Sequence, residues 1–395
     1  MARLAYISFD QVPAPKGAAT HIEAFVRSLA LEFGGVDLVT VGGSSDVCER
    51  WPGVTHWELP AIGGTLIDRV LSFGRLLSRW LAGRKYDVIH FRSIFEGLPI
   101  LKHRNGAALL FEVNGLPSIE LKYRYPGSED DRELMRKIEA QERMCVAAAD
   151  RIITPSAVTS DFLERSRGAR GEKIAVIPNG VDIELFEPSP VPHGSGKLLY
   201  FGTLSPWQGV DLAIRAVAST DASLTILGTG SRARRQALTH LAAKLGVVDR
   251  VVLRPPVSQI ELCQALAACD AVLAPLLWND RNVVQGCCPL KVLEGMAAGR
   301  PVISSDLEVV RQLGVHEAHF LLVKPGSVDA MASAIERLRA DPALASRLAS
   351  NARQHIGKRY TWDHANAALS AVYRDLIDQR ALTGLDEAAL VPVRN

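Results

Sequence analysis

Short hydrophobic runs alternate with segments of helical periodicity along the chain. The runs are rich in β-branched residues, as is typical of buried strands, and the segments between them repeat apolar residues every three or four positions. Strands are predicted at LAYISF, VDLVTV, DVIHF (87–91), ALLFEV (108–113) and RIITPS, and helices near 21–32, 66–81 and 131–149. This alternation predicts βαβ units and a parallel sheet.

The alternation breaks once and then restarts. FEPSPVPHGSGK (186–197) is rich in proline, glycine and serine, which favours a linker. The chain is therefore predicted to be an α/β protein with an N-terminal domain (1–185), this linker, a similar C-terminal domain (198–359), a final helix (360–378) and a loose tail (379–395). Because open α/β sheets bind ligands at the carboxyl ends of their strands, two such domains facing each other predict a cleft between them.

The segment PLKVLEGMAAGRPVISSD (289–306) predicts a chemical site. Pro289 suits the start of a helix, Gly299 suits its left-handed end, and VISS suits a buried strand. Lys291 and Glu294 lie on one side of that helix. Since helix N-termini attract anions, the pattern favours a phosphate near Lys291 and hydroxyl groups near Glu294. The alternative is an ordinary α/β segment whose charged side chains lie in solvent.

Composition narrows the class of protein. The chain has 395 residues, of which 48% are hydrophobic, enough for two cores. A net charge of +2 without a long basic run argues against a nucleic-acid partner. The six cysteines form no CxxC pair and no zinc-ligand spacing, which favours a reduced, cytoplasmic protein. Neither a signal peptide nor a run of about 18 apolar residues is predicted.

Four blocks, taken in order, resemble a known family. They are PNGVDIELFEP (178–188), LGTG (227–230), PLKVLEGMAAGRPVISSD and YTWDHANAALSAVY (360–373). Together they resemble the signature blocks of the retaining GT-B glycosyltransferases of the large family four type, which includes bacterial mannosyl-, glucosyl- and N-acetylglucosaminyltransferases. Their order and spacing extend the resemblance over nearly the whole chain.

The resemblance implies a fold and a reaction. It implies two Rossmann-like domains, with the donor in the C-terminal domain, the acceptor in the N-terminal domain, and the last helix crossing back to the N-terminal domain. The donor would be a UDP-sugar or GDP-sugar, and the acceptor a glycan, a lipid-linked sugar or a small molecule. Transfer would retain configuration by front-side displacement, without a metal ion or another cofactor.

The match to the family's site is uneven. Glu294 matches the acid that accepts hydrogen bonds from the donor ribose, whereas Gly286 stands where a second acid usually contacts the donor sugar. Thr203 and Gln208 stand where the family has the arginine and lysine that clamp the diphosphate. Asn114 stands where the family has its catalytic-loop histidine.

A leaving diphosphate needs positive charge and hydrogen-bond donors, so we expect the clamp to have moved. Arg281 and Lys291 are predicted to neutralise the diphosphate, and Asp280 to take over contacts with sugar hydroxyls. Gly228, in LGTG, is predicted to line the donor site. The alternative is that Arg281 is a solvated loop residue and that the site is inactive.

Two groups of polar residues in the first half are candidates for acceptor binding. Lys16 lies in a strand-to-helix loop, which in the family covers the diphosphate and the acceptor, and Gly17 in the same loop is predicted to bind the donor. His90 and Arg92 end a strand and point the same way, so they favour acceptor or phosphate recognition, although His90 as a core residue is the alternative.

Glu112 and Asn114 are predicted to be catalytic. Glu112 lies near the end of the strand ALLFEV and Asn114 directly after it, so the two share a face at the place of the family's catalytic loop. Either side chain is expected to contact the transferred sugar or the acceptor hydroxyl.

The helix 66–81 has an apolar arc and a polar arc with Arg69, Arg75 and Arg79. Basic amphipathic helices dock on anionic membranes, which would suit a lipid-linked acceptor and the inner face of the cytoplasmic membrane. The alternative is a helix that packs its apolar side on the sheet and leaves its arginines in water.

Two other functions are compatible with the residues. The replaced clamp residues also fit a non-catalytic nucleotide-sugar-binding partner of another transferase. Glu294 and the NGVD block fit a GT-B sugar-nucleotide epimerase equally well.

Overall fold

A computed structural model describes residues 2–14, 16–43, 47–187, 189–192 and 194–389. The chain divides into two compact units. The first comprises residues 1–14, 18–177 and 365–395, and the second comprises 15–17 and 178–364. Each unit is an open α/β domain, which confirms the predicted fold class.

The first unit is built on a sheet of seven parallel strands in the order β3-β2-β1-β4-β5-β6-β7. These strands are β1 Leu4–Ile7, β2 Val36–Thr40, β3 Val54–Glu58, β4 Val88–Phe91, β5 Ala108–Glu112, β6 Arg151–Thr154 and β7 Ile174–Val176. The helices between them are α1 Gly17–Phe33, α2 Val47–Arg50, α3 Leu66–Leu81, α4 Ile94–Lys102, α5 Pro117–Arg124, α6 Arg132–Ala148 and α7 Ala157–Arg167.

The second unit has a sheet of six parallel strands in the order β10-β9-β8-β11-β12-β13. The strands are β8 Lys197–Phe201, β9 Ser223–Leu227, β10 Val251–Arg254, β11 Ala271–Ala274, β12 Val302–Ser305 and β13 Leu321–Val323. Its helices are α8 Val210–Ala218, α9 Arg232–Lys244, α10 Gln259–Ala268, α11 Leu290–Ala297, α12 Glu308–Arg311, α13 Val328–Ala340 and α14 Pro342–Arg359, after which α15 runs from Trp362 to Ala389.

Each strand order contains one point at which the direction of winding reverses. In the first unit it lies between β1 and β4, and in the second between β8 and β11. Connections leave these neighbouring strands towards opposite faces, so a crevice opens at their carboxyl ends. The loops after β1, β4, β8 and β11 are therefore the places where a ligand is expected.

Helix α3 illustrates how the sequence sets an element. Thr65 caps its start by a reciprocal capping box with Asp68, and Phe73 and Leu77 are buried in the core of the first unit. The observed bounds match the predicted helix. Arg69 does not join the exposed arginines, because its guanidinium lies 5.8 Å from the ring centroid of Phe9.

The boundary between the units lies at residues 177 and 178, eight residues before the predicted end of the N-terminal domain. The residues just after it are bonded within the second unit: Val181 N donates to Tyr360 O at 2.8 Å, and Asn179 Nδ2 donates to Cys288 O at 2.8 Å. Backbone pairing of this kind cannot be inferred from local composition, which marked only the proline-rich stretch.

The last helix is longer than predicted. Helix α15 extends to Ala389, so residues 379–389 of the predicted tail are helical, and 390–395 lie outside the described residues. From residue 365 onward this helix belongs to the first unit, where Tyr373 Oη lies 2.9 Å from His90 Nδ1 and Arg151 Nε donates to Asp375 at 2.8 Å. None of the described helices is long and apolar enough to span a bilayer.

Candidate active site

The loop after β8 approaches its neighbours closely. Gly209 has φ +69°, and a Cβ there would lie 1.8 Å from the carbonyl oxygen of Pro275, in the loop after β11. Gly228 is equally confined, since a Cβ would lie 1.8 Å from the carbonyl oxygen of Gly202. Any side chain at either position would force the backbone apart. The requirement for glycine at 228 is thus explained by strand packing, and its predicted contact with the donor stays a prediction.

Helix α11 begins one residue after Pro289 and carries Lys291 on its first turn. The Lys291 side chain is buried, and its Nζ donates to Tyr200 Oη at 2.9 Å and to Gln208 Oε1. The amine also lies 4.1 Å from the centroid of the Tyr200 ring, within the range of a cation–π contact. Lys291 and Gln208, two predicted site residues 83 positions apart, are therefore in direct contact.

Tyr200 fixes this arrangement from the end of β8. Its hydroxyl donates to Thr203 O at 2.5 Å while accepting from Lys291, so the amine is held beside the loop. Thr203 itself is exposed and offers its backbone carbonyl to the protein. Thr203, which stands where the family has an arginine, thus helps to position a different cation, the Lys291 ammonium.

Burial shapes the ionisation of Lys291 and Glu294. Burial lowers the pKa of Lys291 to about 7, against smaller opposite effects of Cys287 and Glu294. Burial also raises the pKa of Glu294 to about 7, although Lys291 acts to lower it. The two groups therefore change charge in the same pH range. An anion bound at Lys291 would favour its protonated form.

A second cation reaches the same loop from the segment after β11. Residues Arg281–Gln285 form one turn of π-helix, and Asp280 accepts from Arg281 N at 2.9 Å. The Arg281 guanidinium lies 5.7 Å from the centroid of the Trp207 ring, next to Gln208 in sequence. Asn282, which is buried, donates to Trp207 O at 2.9 Å. Arg281 and Lys291 thus contact adjacent residues of one loop.

Gly286 has a structural reason to lack a side chain. Its backbone has φ +84° and ψ 171°, a region open essentially to glycine alone, and its carbonyl accepts from Arg281 at 3.4 Å. The family's first acid would strain this turn.

In the first unit, Glu112 joins the predicted residues into one cluster. Its Oε1 accepts from Arg92 Nε at 3.0 Å, its Oε2 lies 3.0 Å from His90 Nε2, and Asn114 Nδ2 also donates to Oε1. The prediction that His90 and Arg92 point the same way is confirmed, because both contact this carboxylate. The prediction that Glu112 and Asn114 share a face is confirmed by their hydrogen bond.

Three of these residues are buried and contact one another. His90 is fully buried, Arg92 and Glu112 are 8% and 2% exposed, and all three are occupied by one another. The polar atoms of all three face one another inside the protein, and their predicted parts in acceptor binding and catalysis stay predictions. Asn114 is partly exposed at the end of β5 and is the member of the cluster able to meet a ligand. Lys16 and Gly17 lie at the start of α1, and their roles stay predictions.

Sequence reasoning missed four residues that organise these clusters. Tyr200 and Trp207 position the two cations in the second unit, and Tyr6 and His21 contact Glu112 in the first. Trp207 could have been suspected, because it lies beside Gln208 in the predicted clamp loop. The others lie in strands or helices with no local signal of chemistry. Among the described residues, no group of His, Cys, Asp or Glu forms a metal site.

Comparison with known proteins identifies the family of this chain. A model of glycosyltransferase family 4 matches residues 15–185, and a model of glycosyl transferases group 1 matches residues 195–341. A D-inositol 3-phosphate glycosyltransferase from Streptomyces bingchenggensis is 32% identical to this chain over the aligned residues. The alignment covers 59% of this chain and 54% of that relative's length.

Solved structures show the same fold. Sucrose-phosphate synthase from Thermosynechococcus elongatus superposes with a TM-score of 0.81 at 23% identity, over 96% of this chain and 100% of the other. The HepE protein of Anabaena, solved with UDP and glucose, superposes with a TM-score of 0.74 at 18% sequence identity. The superposition covers 95% of this chain and 100% of the other. The two open α/β units and their switch-point loops define a GT-B protein. The chain belongs to the group 1 and family 4 glycosyltransferases.

Proposed function

We propose that this glycosyltransferase transfers a hexosyl group from a nucleotide diphosphate sugar with retention and without a metal ion. One observation carries the proposal: Lys291 Nζ contacts Gln208, at the position where the family's clamp lysine would stand. The cation is thus supplied from α11 instead of from the loop after β8. Glycosyltransferase names and a UDP complex among the similar proteins support a nucleotide-sugar donor.

The proposed clamp acts on the leaving group. As the sugar bond breaks, negative charge develops on the diphosphate, and a buried cation stabilises it more strongly than a solvated one. Lys291 would supply that charge, and Arg281 would add to it from the adjacent turn. Glu294, on the same helix, is proposed to accept hydrogen bonds from the donor ribose.

The test is turnover by the purified protein. Incubation with UDP- and GDP-hexoses and simple sugar acceptors should release a nucleoside diphosphate and form a glycoside of the donor's anomeric configuration by NMR. Activity should persist in EDTA, because the charge on the diphosphate is met by side chains. Inverted product or loss of turnover in EDTA would contradict the retaining, metal-independent reaction. Donor binding without turnover would favour the non-catalytic partner, and a change in the donor's own stereochemistry would favour the epimerase.

We also propose that the exposed face of α3 contacts an anionic membrane at the cytoplasmic side. Ile62, just before the helix, is 70% exposed, and Ile67 and Leu71 on its first turns are each 55% exposed. Arg75 and Arg79 continue the same exposed face towards the end of the helix. Apolar residues beside a basic row suit insertion at a negatively charged lipid surface, as a lipid-linked acceptor would require.

Vesicle flotation tests this contact. The protein should float with vesicles that contain anionic phospholipid and remain unbound with neutral vesicles. Replacing Arg75 and Arg79 by glutamate should weaken binding by at least about tenfold, since each basic residue near such a surface contributes about 1 kcal/mol. The matched control replaces Arg124 and Arg165, which are 67% and 75% exposed elsewhere on the unit. The proposal would be refuted if the Arg124 and Arg165 changes weakened vesicle binding as much as the Arg75 and Arg79 changes do. It would also be refuted if the unaltered protein did not float.

A further inference from the structure

The Glu112 carboxylate is a point at which several elements of the first unit meet. Besides Arg92 and His90, it accepts from Tyr6 Oη at 2.6 Å, and His21 Nε2 lies 2.8 Å from it. These partners come from β1, α1 and β4, and β5 supplies the carboxylate itself. A buried charge is costly unless it is fully hydrogen-bonded, and here the partners meet that need.

The cluster also fixes the starts of three loops. Arg92 bridges Glu112 to Asp10, with 3.0 Å between Arg92 Nη1 and Asp10 Oδ2. Asp10 follows β1, Arg92 follows β4 and Asn114 follows β5. The first two strands flank the switch point of this sheet, where ligands bind in open α/β domains. One carboxylate therefore ties together the loop starts that border the expected crevice.

The charge of Glu112 decides how the Asn114 amide is oriented. Burial would raise the pKa of Glu112, but Arg92 and His21 hold it well below its usual range, so the group is ionised. An ionised carboxylate only accepts hydrogen bonds, and the atom that Asn114 turns towards it must be Nδ2. The carbonyl oxygen of the amide is then left as an acceptor for another partner.

We infer that Glu112 is a positioning residue, which holds the Asn114 amide so that its oxygen accepts a hydrogen bond from a sugar hydroxyl at the end of β5. This inference rests on the proposed glycosyl transfer. The geometry supports it, because Glu112 is 2% exposed and accepts a hydrogen bond from Asn114 Nδ2, while Asn114 itself is partly exposed at the end of β5. Asn114 would contact the sugar, and Glu112 would act only through it.

The experiment is a double-mutant cycle on the full chain. Glu112→Gln should lower kcat by about 100-fold, the order of effect expected when a contact group is misplaced by about 1 Å, while the KM for the donor stays within about twofold. Asn114→Ala should lower kcat to a similar extent. The double variant should be no worse than Asn114→Ala alone, since Glu112 has no effect once the amide is gone.

A matched control separates positioning from loss of stability. Glu142 is fully buried in the same unit and is paired with Arg167 at 2.7 Å. Glu142→Gln should lower the melting temperature comparably and leave kcat within about threefold. Additive effects of the Glu112 and Asn114 changes, or an equal loss of kcat in Glu142→Gln, would overturn the inference. Activity of the unaltered protein tests the transferase proposal separately. If Glu112→Gln does not fold, Tyr6→Phe takes its place, because it removes one hydrogen-bond donor to Glu112. Its effect on kcat should be non-additive with that of Asn114→Ala.

Discussion

Replacing Lys291 by methionine should lower kcat/KM for the donor by about 100- to 1,000-fold, the effect typical of removing one donor from a preorganised anion site. The reason is geometric. The ammonium is held by Tyr200 and Gln208 in a buried position, where solvent cannot substitute for it. Steady-state kinetics and isothermal titration with a nucleoside diphosphate measure the loss. Methionine keeps most of the apolar stem of the side chain and removes the ammonium, with its charge and its hydrogen bonds to Tyr200 and Gln208.

The same substitution should not destabilise the protein. Because burial lowers the pKa of Lys291 to about 7 from its ordinary value near 10.5, the unfolded chain binds more protons than the folded one between these values. The resulting penalty on folding is fully present below about pH 7 and disappears as the pH rises through 10.5. Lys291→Met should therefore raise the melting temperature at pH 7 and raise it less at pH 10.

Lys244, an exposed residue in the last turn of α9, provides the control. Lys244→Met should leave both kinetics and melting temperature nearly unchanged. If Lys291→Met retained donor affinity and turnover, the relocated clamp would be wrong. A fall in melting temperature that paralleled the loss of activity would mean that Lys291 is only structural.

Replacing Glu294 by alanine should raise the KM for the donor by about 10- to 100-fold. The proposed ribose contact is a hydrogen bond to a charged group, and such bonds contribute roughly 1.5 to 3 kcal/mol. Glu294→Gln should lose less, because the amide oxygen still accepts one hydrogen bond. A comparison of the nucleoside diphosphate with its 2′,3′-dideoxy analogue gives the direct measurement, since the analogue should bind the unaltered protein and Glu294→Ala almost equally.

The control for this change is Glu336→Ala, at an exposed position on α13. It should have no effect on the KM for the donor. If Glu294→Ala discriminated against the dideoxy analogue as strongly as the unaltered protein does, Glu294 would not be the ribose ligand. Lys291→Met and Glu294→Ala are also distinguishable from each other, because Lys291→Met should weaken binding of the analogue and Glu294→Ala should not.

Several parts of the site could be predicted because they depend on short stretches of sequence. Lys291 and Glu294 lie one turn apart on α11, and Gly299 ends that helix with φ +63°, as its position after the helical run predicted. Arg281 lies in a loop whose polar residues are evident from the sequence alone. Its contact with Trp207 depends on a π-helical turn, for which the sequence holds no comparable signal.

The roles of polar residues in the first unit were harder to predict. His90, Arg92 and Glu112 end strands where ligands commonly bind, and their sequence context is the same whether they face a ligand or one another. Only the convergence of β1, α1, β4 and β5 buries them, since each contact joins residues that are distant along the chain. Asn114, two residues further along, remains accessible because β5 has ended.

The sequence by itself determined the two α/β domains and most of their helices and strands, because hydrophobic periodicity and turn residues act over a few positions. The family was indicated separately, by the resemblance of four motif blocks. The tertiary structure decided which charges are available for chemistry. Lys291 meets Gln208 across 83 residues, and Tyr373 brings the last helix to His90 across 283. Such contacts depend on how strands are ordered in a sheet, and strand order is set by packing of the whole domain.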